Sequence, residues 1–322
     1  MMFGAWGNPD HADSLKIINR ALDSGINFID TADVYSAGES EEIVAKAISG
    51  RRDELVIATK AHLPMGANPN MQGNSRRWIM QACEDSLRRM GTDYIDLYQI
   101  HRPDPKTGID ETLGALTDLV RQGKVRYIGT STFPPSQIVE AQWVAERRGR
   151  ERFVCEQPPY SMLIRAVEAE LFPVCQKYRM GAIVWGPLAS GWLSGKWRKG
   201  MTQVTSSRAQ RLAFRYDLSL PGNQVKLEAA EALAELAEDA GMTLIHMAIA
   251  FVLQHPAVTS AIIGPRTMEH LESYLGAPDV PLEPELLDRI DEIVRPGTNI
   301  VWTDNGYMPP SLTDPSLRRR PY

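Results

Sequence analysis

Seven short apolar segments alternate with amphipathic segments, and this alternation restricts the fold more than any other feature of the sequence. Between the apolar segments, residue spacing predicts helices, one beginning after Ser75 and another passing through Val225 and Leu233 to end at Gly241. Strands alternating with helices indicate parallel βαβ units. The predicted strands span residues 26–30, 55–60, 94–101, 125–130, 153–157, 182–185 and 261–264.

Two arrangements of such units compete, an open doubly wound sheet and a closed (β/α)8 barrel. The glycine-rich GxGxxG turn that binds dinucleotides in the open sheet does not follow any early strand. Its absence favours the barrel, for which 322 residues suffice in one domain. An eighth strand at the start is represented only by Met1-Met2-Phe3-Gly4, so we expect the first strand to be truncated.

Charge and cysteine content narrow the class of protein. The chain has 35 basic and 40 acidic residues, a net charge of −5, and lacks the basic surplus typical of nucleic-acid binding. It has neither a membrane-length apolar stretch nor a secretory signal, so we expect no membrane association and a cytoplasmic location. Cys83, Cys155 and Cys175 lack CxxC spacing, which indicates core thiols rather than a metal site.

Most of the predicted strands end at residues whose side chains can take part in catalysis or ligand binding. Catalytic groups of a barrel lie at the carboxyl ends of its strands, so these side chains are expected to converge. Tyr35 lies in the loop that follows the first of these ends. The strand-end residues are Asp30, Lys60, His101, Ser131, Thr132, Gln157, Trp185, Gly264 and Arg266.

Four of these residues suggest proton transfer to a carbonyl oxygen. A Lys60 ammonium beside Tyr35 would lower the tyrosine pKa, and Asp30 would keep Lys60 charged and oriented. His101 would hydrogen-bond the substrate carbonyl and share its proton with the tyrosine. A general acid of this kind needs a hydride donor, which no side chain supplies, so a nicotinamide cofactor is implied.

Three further strand-end residues suit the ring of such a cofactor. Trp185 offers a flat face for the nicotinamide, and Ser131 and Gln157 can hydrogen-bond its carboxamide. Arg266 suits a phosphate because guanidinium pairs with phosphate in a bidentate manner.

Several motifs resemble those of the aldo-keto reductases, in the same order, from about residue 3 to about residue 295. The strongest runs from Gly25 to Tyr35, reads GINFIDTADVY, and resembles the motif carrying the catalytic aspartate and tyrosine. Thr59-Lys60 and DLYQIH, ending at His101, are similar to the lysine and histidine motifs. GTSTF, which contains Ser131 and Thr132, EQPPY, which contains Gln157, and WGPLASG, which begins at Trp185, are similar to cofactor-binding motifs.

The resemblance implies an NADP(H)-dependent reductase of aldehydes or ketones with a (β/α)8 TIM barrel over residues 1–296. It implies a tail, residues 297–322, that lines the substrate pocket with Trp302, Tyr307 and Met308, aided by Trp6. It leaves monomer and homo-oligomer open. It assigns the cofactor pyrophosphate to a loop that contains Gly186, Pro187, Leu188, Ser190 and Lys196. It assigns the adenosine end of the cofactor to a later segment that contains Gly264, Arg266 and His270.

Some positions depart from the family pattern, and other functions remain open. Thr132 stands where the family often has asparagine, Gly186 where serine is usual, and His270 where glutamine or arginine is frequent. One alternative is a redox-sensing accessory protein resembling potassium-channel beta subunits, with weak turnover. Another is a metal-assisted barrel enzyme, which the absence of ligand-spaced His, Asp and Glu residues disfavours.

Overall fold

The computed structural model describes residues 2–201, 209 and 212–320, and its seven strands form one sheet in chain order. Pairs from β1 to β6 are parallel, and helices connect the strands, which confirms the (β/α)8 fold class. The last strand lies earlier than predicted, since it begins at Val258. The strands are β1 (Phe28–Asp30), β2 (Val56–Ala61), β3 (Ile95–Ile100), β4 (Val125–Thr130), β5 (Cys155–Glu156), β6 (Gly181–Trp185) and β7 (Val258–Ile262).

The helices begin and end at residues suited to those positions. Ser75 caps the third helix by accepting a hydrogen bond from the Trp78 amide, as predicted, and Gly91 ends that helix in the left-handed conformation. The described helices are α1 (His11–Asp23), α2 (Glu39–Ile48), α3 (Arg76–Met90), α4 (Ile109–Arg121), α5 (Pro135–Arg148), α6 (Leu171–Lys177), α7 (Pro221–Asp239), α8 (Leu244–Gln254), α9 (Met268–Leu275), α10 (Pro284–Ile293) and α11 (Pro310–Thr313).

One helix buries a charged side chain that its apolar spacing does not indicate. Leu233 of α7 is buried as expected, and Gly241 follows the helix with a φ of 70°. Val225, however, is half exposed, while the adjacent Lys226 is buried. The apolar spacing does not reveal the burial of Lys226, because it cannot identify a partner for a buried lysine.

The chain divides into two compact units. The first unit contains Met1–Gln157, Pro173–Ile183 and Ile262–Gly276, and the second contains Pro158–Phe172, Val184–Ala261 and Ala277–Tyr322. Within the first unit, side chains from β2, β3, β5 and β6 form an apolar cluster. Its buried members are Ala58, Leu97, Cys155 and Ile183.

Other sequence expectations meet the structure at three points. All three cysteines are buried and free, as predicted for core thiols. In the described residues before β1, Phe3 and Asn8 form an isolated parallel bridge rather than a strand. No single helix among the described residues is long and apolar enough to span a membrane, although α7 and α8 meet that test together as a pair bent by 96°.

Candidate active site

A buried ion pair joins the ends of β1 and β2. The Nζ atom of Lys60 lies 2.8 and 2.7 Å from the two carboxylate oxygens of Asp30 and 2.7 Å from the carbonyl oxygen of Thr31. All three ammonium donors therefore have acceptors, although Lys60 is fully buried. Burial alone would lower the pKa of Lys60, but Asp30 and Tyr35 outweigh it and raise this pKa, so the side chain is an ammonium at neutral pH.

Tyr35 lies in the turn after β1, beside this ammonium. The Lys60 Nζ atom is 5.3 Å from the centroid of the tyrosine ring. Burial raises the pKa of the Tyr35 hydroxyl, and Lys60 offsets that rise only in part. The net change is opposite to the lowering expected from the sequence, because the lysine charge is recognisable there and the burial is not. Tyr35 therefore keeps its proton at neutral pH.

His101 follows β3 and packs edge-on against Tyr35. The two ring centroids are 5.7 Å apart and the ring planes form an angle of 79°. Burial, together with the nearby charges of Lys60 and Arg102, holds the pKa of His101 well below its usual range. The imidazole is neutral at neutral pH, and its buried Nδ1 atom has no hydrogen-bond partner among the described residues.

Two glutamine side chains also approach the Asp30 carboxylate. The Nε2 atom of Gln157 donates to Asp30 Oδ1 at 2.8 Å, and that of Gln99 lies 3.5 Å from the same oxygen. Ser131 Oγ donates to the Gln157 carbonyl oxygen at 2.8 Å. Gln99 was not identified as a site residue from the sequence. It stands two residues before His101, and residues two apart in a strand point to the same face of the sheet.

Thr132 adopts a strained backbone conformation beside these residues. Its φ is 58°, in the left-handed region that a β-branched residue rarely occupies. The Phe133 amide donates to the fully buried Glu156, whose pKa burial raises to about 7. Because asparagine tolerates left-handed φ, its frequency at this position in similar sequences has a steric explanation.

A second group of buried ionisable side chains includes Glu41 and Asp33. Glu41 accepts hydrogen bonds from Thr59 Oγ1 and Arg89 Nε, both at 2.6 Å. Asp33 is buried too, and its Oδ2 atom has no hydrogen-bond partner among the described residues. Burial and the neighbouring Glu41 raise the pKa of Asp33 to about 8, so this carboxyl group is protonated at neutral pH.

The predicted adenosine-end residues lie after β7 in the first unit. Gly264 is exposed and Arg266 is half-buried, with its carbonyl oxygen accepting from Asn8 Nδ2 at 3.2 Å. The His270 amide donates to the Thr267 hydroxyl, which caps α9. The positive end of that helix therefore lies within this segment.

The predicted pyrophosphate loop belongs to the second unit, and we call residues 185–197 the Trp loop. It begins at Trp185, the last residue of β6, and contains the buried Pro187, the partly exposed Leu188 and the exposed Lys196. Gly186 has a φ of 75°, a conformation that favours glycine over the serine found in similar sequences.

The candidate pocket residues fall in different units. Trp6 in the first unit lies 6.4 Å from Tyr35 between ring centroids, and Ser36 Oγ accepts from its backbone amide at 3.1 Å. Trp302, Tyr307 and Met308 belong to the second unit. No three His, Cys, Asp or Glu side chains in the described ranges are grouped closely enough to hold a metal ion.

Comparison with known proteins places the chain in a family. The model of the aldo/keto reductase family matches residues 1–295. An uncharacterized oxidoreductase, YrpG, of Bacillus subtilis is 38% identical over 91% of this chain and 90% of its own. A putative voltage-gated potassium channel subunit beta of Schizosaccharomyces pombe is 35% identical over 91% and 88% of the two chains, and the aldo-keto reductase YhdN of B. subtilis is 36% identical over 83% and 79%. The chain belongs to the aldo/keto reductase family.

Proposed function

We propose that this protein is an NADP(H)-dependent oxidoreductase that reduces aldehyde or ketone carbonyls to alcohols, with Tyr35 as the general acid. The observation that carries this proposal is the grouping of a buried tyrosine ring with a lysine ammonium 5.3 Å away, the aspartate paired with that lysine, and the edge of His101. A protonated hydroxyl is what reduction of a carbonyl requires, since the oxygen must receive a proton as the carbon receives a hydride. The bound nicotinamide supplies that hydride.

The other three side chains prepare the transfer. Asp30 fixes the Lys60 ammonium, whose positive charge favours the phenolate left when Tyr35 gives up its proton. His101 is neutral, so it donates one hydrogen bond to the substrate oxygen and orients it toward the hydroxyl. Its buried, unpartnered Nδ1 atom, noted above for the described residues, fits a site that binds a further polar group.

The residues of the first unit fit a nicotinamide cofactor on chemical grounds. Ser131 supplies a buried hydroxyl and Gln157 a buried amide that donates to Asp30, and Thr132, which follows Ser131, is buried too. Gly264, Arg266 and His270 stand at the start of a helix, where a phosphate is stabilised by backbone N–H groups and a guanidinium. The ligand in that position would be the adenosine 2′-phosphate, which makes NADP(H) the proposed form.

The Trp loop of the second unit is proposed as a cofactor-binding segment on its family resemblance. Its assigned residues are Trp185, Gly186, Pro187, Leu188, Ser190 and Lys196. We also propose a cytoplasmic location, which the three buried free thiols support. The tail of residues 297–322 is proposed to line the substrate pocket.

The test is Tyr35→Phe, with Tyr127→Phe at an exposed tyrosine of β4 as the matched control. The wild type is expected to oxidise NADPH with 4-nitrobenzaldehyde, and Tyr35→Phe to lose about 1000-fold in kcat while NADPH still quenches tryptophan fluorescence. Tyr127→Phe should behave as the wild type. No NADPH oxidation by the wild type across a panel of aldehydes and ketones would refute the proposal.

Relatives named potassium channel beta subunits support a second candidate, a redox-sensing accessory protein with weak turnover. One from Schizosaccharomyces pombe is 35% identical over 91% of this chain. A stable complex with a membrane channel, together with turnover below that of an aldehyde reductase, would favour this role over the first.

A further inference from the structure

A C-terminal segment of the second unit is bound along a preceding turn, and we call residues 298–304 the tail strap. The Arg165 amide donates to the Thr298 carbonyl oxygen at 2.9 Å, and the Ile300 amide donates to the Leu163 carbonyl oxygen at 3.2 Å. These bonds hold the first half of the strap, and the Asp304 amide donates to the Val301 carbonyl oxygen at 3.0 Å in its second half.

Asp304 fastens the end of the strap to a buried lysine on α7. Its Oδ2 atom lies 2.5 Å from Lys226 Nζ, and the two side chains are 10% and 4% exposed. The same Nζ atom lies 5.8 Å from the ring centroid of Trp192 in the Trp loop. The lysine therefore contacts both the strap and the loop.

Trp192 is the centre of an aromatic stack that holds the Trp loop. It stacks on Tyr216 at 5.9 Å and 11° and lies 5.1 Å from Trp197. The Tyr216 hydroxyl donates to the Ser190 carbonyl oxygen at 2.9 Å, and Trp197 Nε1 donates to the Gly191 carbonyl oxygen at 2.6 Å. Two successive carbonyl groups of the loop are thus bound by rings of the stack.

The ion pair and the loop also share a small cavity. Trp185 and Ser190 line it together with Lys226 and Asp304, and its volume of about 10 Å³ leaves room for no more than a water molecule. The ion pair is therefore a near neighbour of Trp185 and Ser190.

Stability alone does not account for a buried ion pair at this place. The cost of removing both charges from water often cancels their attraction, so an apolar pair of similar volume is as stable or more stable. An ion pair does, however, impose one geometry on the groups that it joins.

We propose that Lys226 and Asp304 are positioning residues that hold the Trp loop in the conformation that retains the nicotinamide cofactor. This inference rests on the proposed function. The strap thereby links the C-terminal segment to the rate at which the cofactor leaves.

The first test measures NADPH release from Asp304→Asn by stopped-flow displacement, with tryptophan fluorescence as the signal. Release is expected to be about tenfold faster, within the usual range for residues that act through a neighbour. At saturating NADPH, the single-turnover rate of aldehyde reduction should fall by about twofold or less. Lys226→Arg, which keeps the charge, should release NADPH within about threefold of the wild-type rate.

Asp291→Asn is the matched control. It removes a carboxylate from Arg165, a buried cation in the same unit whose described contacts do not include the Trp loop. It should lower the free energy of unfolding without accelerating release. Equal acceleration in Asp291→Asn and Asp304→Asn would overturn the proposal, because the effect would then reflect general loss of stability.

Hydrogen exchange in the free protein separates this inference from the proposed function. Asp304→Asn should increase exchange of the Trp-loop amides, including Leu193 and Ser194, which donate to carbonyl groups within the loop. Asp291→Asn should not. If the wild type binds no NADPH, the proposed function fails, and exchange still decides the inference: unchanged protection of the loop in Asp304→Asn overturns it.

Discussion

Lys60 in the first unit and Lys226 in the second are both buried lysines paired with an aspartate, but their surroundings differ in kind. Lys60 has three oxygen acceptors and lies among the ionisable groups Tyr35 and His101. Lys226 has one carboxylate partner and the face of Trp192.

The difference separates two uses of a buried charge. Around Lys60, the fixed charge changes the proton affinity of its neighbours, and Tyr35 and His101 both respond to it. Lys226 instead lies against the ring of Trp192, which does not titrate, so the charge can act on that ring only by determining where it lies. The first pair is suited to chemistry and the second to positioning.

The largest expected effect comes from replacing each lysine by methionine. Lys60→Met leaves the Asp30 charge buried and unpaired, so the free energy of unfolding should fall by about 4 kcal/mol and kcat/KM by about 1000-fold. Lys226→Met should mainly weaken NADPH binding, by about tenfold. Urea unfolding and steady-state kinetics measure both, and equal losses of kcat/KM in the two variants would erase the distinction.

The next prediction concerns the pKa of Asp33, one of the buried ionisable groups of the first unit. Its carboxyl group keeps a proton up to about pH 8 in the folded chain and ionises near pH 4 in the unfolded chain. The folded state thus binds the extra proton in that window, and the free energy of unfolding falls as pH rises from about 4 to 8. Asp33→Asn should remove this contribution, which amounts to several kcal/mol at about 1.4 kcal/mol per pKa unit.

The measurement is urea unfolding of both proteins at a series of pH values. Glu140→Gln, at an exposed carboxylate of α5, is the control. The same change of slope in Glu140→Gln, or equal slopes in the wild type and Asp33→Asn, would contradict the assignment.

The smallest effect concerns backbone strain, which both regions contain. Thr132 and Ser190 have φ angles of 58° and 62°. Because asparagine tolerates this region better than a β-branched residue, Thr132→Asn should raise the free energy of unfolding by about 1 kcal/mol. Thr313→Asn, at an exposed position of α11 outside the left-handed region, should leave the free energy of unfolding unchanged. Thermal unfolding measures both variants, and equal stabilisation by the two substitutions would contradict the prediction.

Much of the site around Lys60 was predictable because its residues lie at strand ends. A polar side chain that ends an apolar strand is recognisable from periodicity, and a parallel sheet brings such ends together. Asp30 and Lys60 were identified in this way, and the structure joins them directly. Gln99 was missed because one buried amide inside a strand carries no spacing that distinguishes it from a packing residue.

The second region was not predictable. Lys226 and Asp304 lie on a helix and in a tail far apart in the chain, and no motif relates them. The apolar spacing of the helix includes the exposed Val225 and does not include the buried Lys226. Only the folded path of the tail strap brings the carboxylate to the lysine.

The sequence by itself determined the order of strands and helices, the family, and the residue types gathered at the strand ends, because these depend on local periodicity and motif spacing. The tertiary structure decided the protonation states of Tyr35, His101 and Asp33, because burial outweighs the charges that can be recognised in the sequence. It also decided that Asp304 reaches Lys226, since a long-range contact depends on how the whole intervening chain packs.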